Sequence, residues 1–461
     1  METQFERVSA DDQLILDSGY QPQLRRKLTR FASFAAAFSF MSVLMGVYSN
    51  YGFALASAGP FSIWTWPIVA VGQMFVALVF AEIAGRLPLT GSLYNWNTRM
   101  SGHSVGWQAG WLTIFGYAVA GVGLIAAMMA PLGSLLGHTF SPGTVQVIGI
   151  SIVLVQLFIN IYGIAFAGLL NRYAVIIEMI ALVVFGTALV IASVLHGGLH
   201  FALLTTIPHD PVPYLPAFFI SGLLAAWTIF GYEAPSDVSE ETFNARRTAP
   251  QSVIAAVSSS AILGFIFLLI LTLAIPNAAT IASEVDPVSS IFFYHLGMIP
   301  TYIFLVCVLI AMLAVGLLVI TNAARLTFAM ARDEATRGSH ILKKVSGRGV
   351  PANAAIFVAT IEILLIVFAY GQTALYATTI ILLSLVYLIT ILSFALNMKK
   401  LPSPDTFSLG LWRMPVIVIA ACWIVAELAL FTIPAPFHLS AYTSIGVIVA
   451  GLILQRLVVK R

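Results

Sequence analysis

Charge is what this sequence has least of. Asp, Glu, Lys and Arg supply 9% of its 461 residues, where a soluble domain carries about 25%. So few charges cannot cover a water-exposed surface of ordinary size, which excludes a soluble globular protein and predicts a chain immersed in a bilayer. The net charge of +3 is too small to point to nucleic acid. Cysteine is almost absent: Cys307 and Cys422 lie far apart in apolar runs, so neither a disulfide framework nor a thiolate metal site is implied. No His-Glu-x-x-His sequence occurs, and no paired aspartates fall within the apolar runs, so these two residue sets of a membrane-bound hydrolase are missing and no metal or cofactor is expected. A repeated filter motif or a ring of charges, as a channel would carry, is missing too.

What the chain has instead is apolar length. Hydrophobic residues make up 60% of it, in twelve runs at about 31–58, 63–86, 104–136, 143–163, 168–195, 214–243, 250–275, 299–330, 353–370, 373–397, 413–433 and 439–457. Each is near the roughly 20 residues that cross the hydrocarbon. With twelve spans and both termini on one side, all 22 Lys and Arg fall on that side, which marks it as cytosolic. The expectation is an all-α, multi-pass protein of the plasma (inner) membrane. Residues 1–30 carry Glu2, Glu6, Asp11, Asp12 and Asp17 before Arg25, Arg26, Lys27 and Arg30, an order unlike a signal peptide, and read as a cytosolic tail. The outer face keeps Asp210, Glu284 and Asp286, with an amphipathic stretch, 281–296, suited to a lid or surface helix.

One span is interrupted. Ala217 to Asn244 runs through Phe230, Gly231, Tyr232, Glu233 and Pro235, and a helix continued there would accept its poorest former and a lost hydrogen bond. Inside a membrane such a break is tolerable only where it faces protein or a cavity. Five spans earlier, the first span places Ser39, Ser42 and Gly46 in mid-membrane. An interval of five inverts the second unit, so 31–195 and 214–398 are expected to form inverted repeats, with 413–457 outside them. The third and eighth runs, both unusually long, would be partners.

Three stretches carry a resemblance: AEIAGRLPLTGSLYNW after the second span, GYEAPSDVSEETFNARRTAP at the sixth, and ARLTFAMARDEATRGSHILKKVSGRGVPANA after the eighth. Together they resemble the amino acid/polyamine/organocation permease superfamily, and within it the branch of γ-aminobutyrate and choline carriers. The resemblance implies a leucine-transporter-type fold with a 5+5 inverted repeat, and secondary active uptake of an amino acid or amine by alternating access. Sodium-coupled relatives imply a cation site at the eighth span, where Thr321 and Asn322 stand. Some proton-coupled relatives place a Lys on the fifth span, where this chain has Glu178. Glu233 stands where the superfamily usually has an acid, most often Asp.

The residues support a zwitterion clamp. A half-helix starting near Ser42 to Gly46 offers N–H donors to a carboxylate, aided by the Ser39 and Ser42 hydroxyls. Carbonyls around Thr228, Ile229, Phe230 and Gly231 suit an ammonium. The alternative for Ser39, Ser42 and Gly46 is helix packing by small residues, which is also the reading for Gly102, Gly106 and Gly110. Glu233 can hold a substrate cation, carry a coupling proton, or cap the second half-helix. Trp227, Phe230 and Tyr232 can form an aromatic wall, with Tyr117 facing them by analogy. Glu178 is a second proton candidate or pairs with a neighbouring helix; H+ is favoured over Na+ as coupling ion. Glu362 and Glu427 read as structurally paired. Glu82, Arg86, Asp237, Glu240 and Glu241 can form inner-gate ion pairs or be solvated loop charges. A cationic amine carrier and a non-transporting sensor remain as alternatives.

Overall fold

The computed structural model describes residues 16, 26, 28–162, 164–207, 214–347, 349–368, 371–403 and 406–458. Most of the expected N-terminal tail, and Asp210, lie outside them. The described residues form helices joined by short connections, with one isolated bridge between Leu28 and Thr242. In order these are α1 (Arg30–Phe40), α2 (Val43–Ala58), α3 (Thr65–Arg86), α4 (Ser92–Ser101), α5 (His103–Leu136), α6 (Pro142–Tyr162) and α7 (Ile164–Leu195). There follow α8 (Tyr214–Ser221), α9 (Leu223–Thr228), α10 (Ala234–Asp237), α11 (Ala245–Leu273), α12 (Ala278–Ser283), α13 (Pro287–Leu296) and α14 (Met298–Arg332). The last are α15 (Ser339–Leu342), α16 (Ala352–Phe368), α17 (Gln372–Asn397), α18 (Arg413–Thr432) and α19 (His438–Val458).

Ten of these helical stretches are long and apolar enough to cross a membrane. At the sixth and ninth expected spans stand two shorter apolar helices, Tyr214–Thr228 and Ala352–Phe368. Burial sorts the spans: 83% of the most apolar window of both the first and the third is buried, against 22% for the fourth and the last. The interrupted first span is therefore central, and α6 and α19 are peripheral. The long helices α5 (34 residues) and α14 (35 residues) pack along each other, α17 lies against α5, and α3 lies against α11.

Three local features differ from expectation or went unforeseen. Between α3 and α5 the chain folds into α4, a largely buried helix that no apolar run announces; Asn97 Nδ2 fixes it to Thr390 Oγ1 of α17 at 2.7 Å. Of the spaced glycines, Gly106 and Gly110 do serve close packing, against Thr98 and Met330. Gly102 instead sits in an open turn at φ +92°, where a side chain would be strained. Residues 102–106 spell Gly-His-Ser-Val-Gly, the spacing of a hydrolase nucleophile elbow, but they join helix to helix and lack the strand that such an elbow requires.

Candidate functional site

The first span breaks at Met41 and Ser42, between α1 and α2. Ser42 caps α2: its Oγ accepts the Met45 N–H at 3.2 Å. The donors at this half-helix start are not vacant. Glu178, on α7, reaches across so that its Oε1 accepts from Ser42 Oγ at 2.7 Å and from the Leu44 N–H at 3.0 Å. The expected seat for a substrate carboxylate is thus held by the protein's own carboxylate, at a helix N-terminus that favours negative charge. Ser39 is buried beside the break and its carbonyl accepts the Ser42 N–H.

The sixth span breaks over 229–233. Gly231, at φ +75°, supplies the left-handed turn, and Pro235 falls in the first turn of α10, where its missing N–H costs nothing. Proline therefore starts the second half-helix; glycine makes the break. No donor among the described residues reaches the carbonyls of Thr228, Ile229 or Phe230. The Gly231 N–H donates to Tyr387 Oη at 3.0 Å. Glu233 is fully buried and does not cap α10; instead its two oxygens accept from Tyr117 Oη of α5 at 2.5 Å and Tyr387 Oη of α17 at 2.7 Å. Tyr117 was anticipated only by analogy, and Tyr387 not at all.

The two breaks touch. A Cβ on Gly231 would lie 2.1 Å from Cδ1 of Phe40, the last residue of α1, and a Cβ on Gly46 would lie 2.0 Å from Thr228 Oγ1. Gly46 is thus a close-packing residue in this structure. Phe40 meets Phe230 edge-on, with centroids 5.6 Å apart. Trp227 stacks on Tyr376 at 4.0 Å, and its buried Nε1 has no partner among the described residues. Tyr232 turns away toward α3: its hydroxyl donates to Gln73 Oε1 at 3.0 Å, and Gln73 Nε2 donates to Glu427 at 2.8 Å. Glu427 also accepts from Ser384 at 2.8 Å, so it is paired as expected. Glu362 is not: neither of its buried oxygens has a partner among the described residues. It fits because Gly121 of α5 has no side chain; a Cβ there would lie 2.5 Å from Glu362 Oε1.

Polar contacts gather at either end of the two breaks. At the end that carries the arginines, Asp237 accepts from the Ser92 N–H (3.0 Å) and Oγ (2.7 Å), at the start of α4. Glu240 accepts from the Thr90 N–H at 3.1 Å and lies 3.8 Å from Arg332, and Glu241 pairs with Arg325 at 2.8 Å. The Thr-Gly-Ser loop, turned at Gly91 (φ +78°), thus presents its Thr90 and Ser92 N–H groups to the acids at and just after the end of α10. Glu82 and Arg86 do not join this cluster. They bond each other at 2.6 Å and tie α3 to the C-terminal segment through Arg413 (2.8 Å) and the Pro402 carbonyl (3.1 Å). The Thr321 hydroxyl lies within hydrogen-bond distance of both Asn160 Oδ1 of α6 and the Leu317 carbonyl, and Asn322 is buried one residue on.

At the opposite end the 281–296 stretch forms the end of α12 and all of α13. Asp286 caps α13 through the Ser289 N–H (3.1 Å) and accepts from Ser134 of α5 (2.6 Å) and Tyr48 of α2. Sequence reading placed Asp286 on this face but gave no sign of its partners. At the other end of α13, His295 bonds the Ala274 carbonyl at 2.7 Å. Burial holds its imidazole below the ordinary histidine range, aided by nearby His196 and His200.

Many apolar helices, two of them interrupted where they touch in the protein interior, make this a multi-pass membrane protein. The chain belongs to the amino acid permease family, whose profile matches residues 28–454. It is 27% identical to the amino-acid permease BAT1 of Arabidopsis thaliana over 94% of this chain and 91% of that protein. Amino-acid permease 2 of Neurospora crassa is 24% identical over 93% and 82%. The branched-chain amino acid permease BcaP of Lactococcus lactis is 27% identical over 67% and 68%.

Proposed function

We propose that this permease is a proton-coupled secondary transporter that takes up an amino acid by alternating access across the plasma membrane. In this reading it has twelve spans with both termini cytosolic, and 31–195 and 214–398 are inverted repeats. The packing of α3 on α11, α5 on α14 and α6 on α16 supports the repeats, since each pair joins equivalent spans of the two halves. The substrate sits where the breaks meet. Its ammonium faces the unengaged carbonyls of Thr228, Ile229 and Phe230 and the Glu233 carboxylate, and its side chain faces Trp227 and Phe230.

The observation that carries the coupling is Glu178 on the Leu44 N–H and Ser42 hydroxyl. A substrate carboxylate needs those same donors. Protonation of Glu178 removes its charge and frees them, so proton and substrate enter together, and release of the substrate lets the ionised Glu178 return. The inner cluster of Asp237, Glu240 and Glu241 and the outer Asp286 latch would open alternately. The buried Glu233 carboxylate and its aromatic neighbours also favour a second reading, a cationic amine as substrate.

Uptake into proteoliposomes with an imposed pH gradient tests both. Wild-type protein is expected to accumulate an amino acid with an inward proton gradient. Glu178→Gln, fixed neutral, is expected to bind and exchange substrate yet fail to concentrate it. Gradient-driven accumulation by Glu178→Gln equal to wild type would remove the coupling role, and transport of choline or polyamines with no amino acid transported would replace the substrate reading.

A further inference from the structure

Away from the central site, at the basic end of the bundle, α1 and α11 start side by side. Between them lies an open cavity of about 410 Å³, lined by Arg30, Phe31, Phe34, Gln251, Ser252 and Ala255. Helix first turns ordinarily favour acids, because the dipole and the free N–H groups there are positive. Neither of these helices has an acid in its first turn. Instead α1 begins with Arg30, and α11 carries Arg246 and Arg247. Arg247 lies one turn before Gln251 on the same helical face. The side chains of Arg30, Arg247 and Gln251 make no hydrogen bond or ion pair with another described residue. Ser252 also lines the cavity; it is 2% exposed, and its buried hydroxyl has no partner among the described residues. The floor is aromatic: Phe31, 42% exposed, lies against Phe34, which stacks on Phe38 at 5.6 Å.

We propose that this niche binds an anionic glycerophospholipid of the leaflet it faces. The two guanidiniums take the phosphodiester, Gln251 and Ser252 bond the headgroup or glycerol oxygens, and the acyl chains run down over Phe31 and Phe34. Guanidiniums suit phosphate oxygens because their paired donors match them. Among the described residues no acid lines the cavity, so there the ammonium of a zwitterionic headgroup meets only positive charge. A lipid bridging α1 and α11 holds the first half-helix of the interrupted span against its neighbour, and so stabilises the arrangement seen here.

The experiment is a thermal melt of the purified full-length protein in detergent, titrated with dioleoylphosphatidylglycerol, dioleoylphosphatidylcholine or glycerol 1-phosphate, with native mass spectrometry counting retained lipids. The phosphatidylglycerol is expected to raise the midpoint saturably, and the other two are not. Arg30→Gln and Arg247→Gln are each expected to weaken that effect about fivefold, with unchanged melting in phosphatidylcholine. Should the arginine variants fail to fold, Ser252→Ala and the wild-type lipid count decide: weaker phosphatidylglycerol binding by Ser252→Ala and preferential retention of that lipid by the wild type support the site. Equal effects of the two lipids, a full shift with glycerol 1-phosphate, or arginine variants that respond like wild type would each overturn it.

Discussion

Gly231→Ala is the substitution from which the geometry gives the sharpest number. Two costs add. At φ +75° an alanine adopts the left-handed region at about 1–2 kcal/mol. Its Cβ would also lie 2.1 Å from the Phe40 ring, and forcing extra volume into a packed interior costs about 1–3 kcal/mol. The sum, about 2–5 kcal/mol, falls on the contact between the two breaks. Gly231→Ala is expected to lower the melting midpoint in detergent and to weaken substrate binding at least about tenfold, since about 1.4 kcal/mol is one decade. The two costs are separable. Phe40→Leu leaves the backbone strain but relieves the clash, so the double variant should recover about 1–3 kcal/mol of the loss, measured as a coupling energy in a double-mutant cycle. A Gly231→Ala protein that melts and binds like wild type, or a cycle with no coupling, would refute the contact between the breaks.

Three further outcomes follow from other contacts. Tyr117→Phe and Tyr387→Phe each remove one hydrogen bond to Glu233, worth about 1.5–3 kcal/mol if the acceptor is charged; each should lower substrate affinity in equilibrium binding, and unchanged affinity in both would take Glu233 out of the site. Asp286→Ala frees Tyr48 and Ser134 from α13, so hydrogen exchange over 287–296 should accelerate, while the Thr-Gly-Ser loop at 90–92, at the other end of the bundle, should not change. Acid should act at the other end of α13. His295 is held neutral below its ordinary value, so on opening the imidazole takes up a proton that the closed state resists. The stabilisation is therefore complete above about pH 6.5 and is lost as the pH falls below it. Exchange over 287–296, corrected for its intrinsic pH dependence, should rise between pH 7.5 and 5.5, and His295→Gln should abolish that rise.

What could be read from the sequence was whatever leaves a local mark. Apolar runs marked the spans, and Gly231 with Pro235 marked the second break, although proline's role proved to be starting α10 and not ending α9. The partners of the marked residues were a different matter. Tyr387 lies 154 positions from Glu233, and Asp286 lies 152 from Ser134; no periodicity records such pairings. Glu178 was visible as an acid in an apolar run, but its place on α2 depends on how α7 crosses the break. Glu82 and Arg86 looked like gate residues because their side of the membrane is crowded with charge, and only the course of the chain between α17 and α18 shows what they hold. Glu362 failed the expectation of a partner because Gly121 opens a notch for it.

The claim that substrate is held where the two breaks meet rests most directly on Glu233, and equilibrium binding to purified Glu233→Gln protein tests it. With radiolabelled amino acids, wild-type protein should bind at least one, and Glu233→Gln, still folded by its melt, should bind the same amino acid at least about tenfold more weakly at every pH from 5.5 to 8. Equal affinity for wild type and variant across that range would contradict the account.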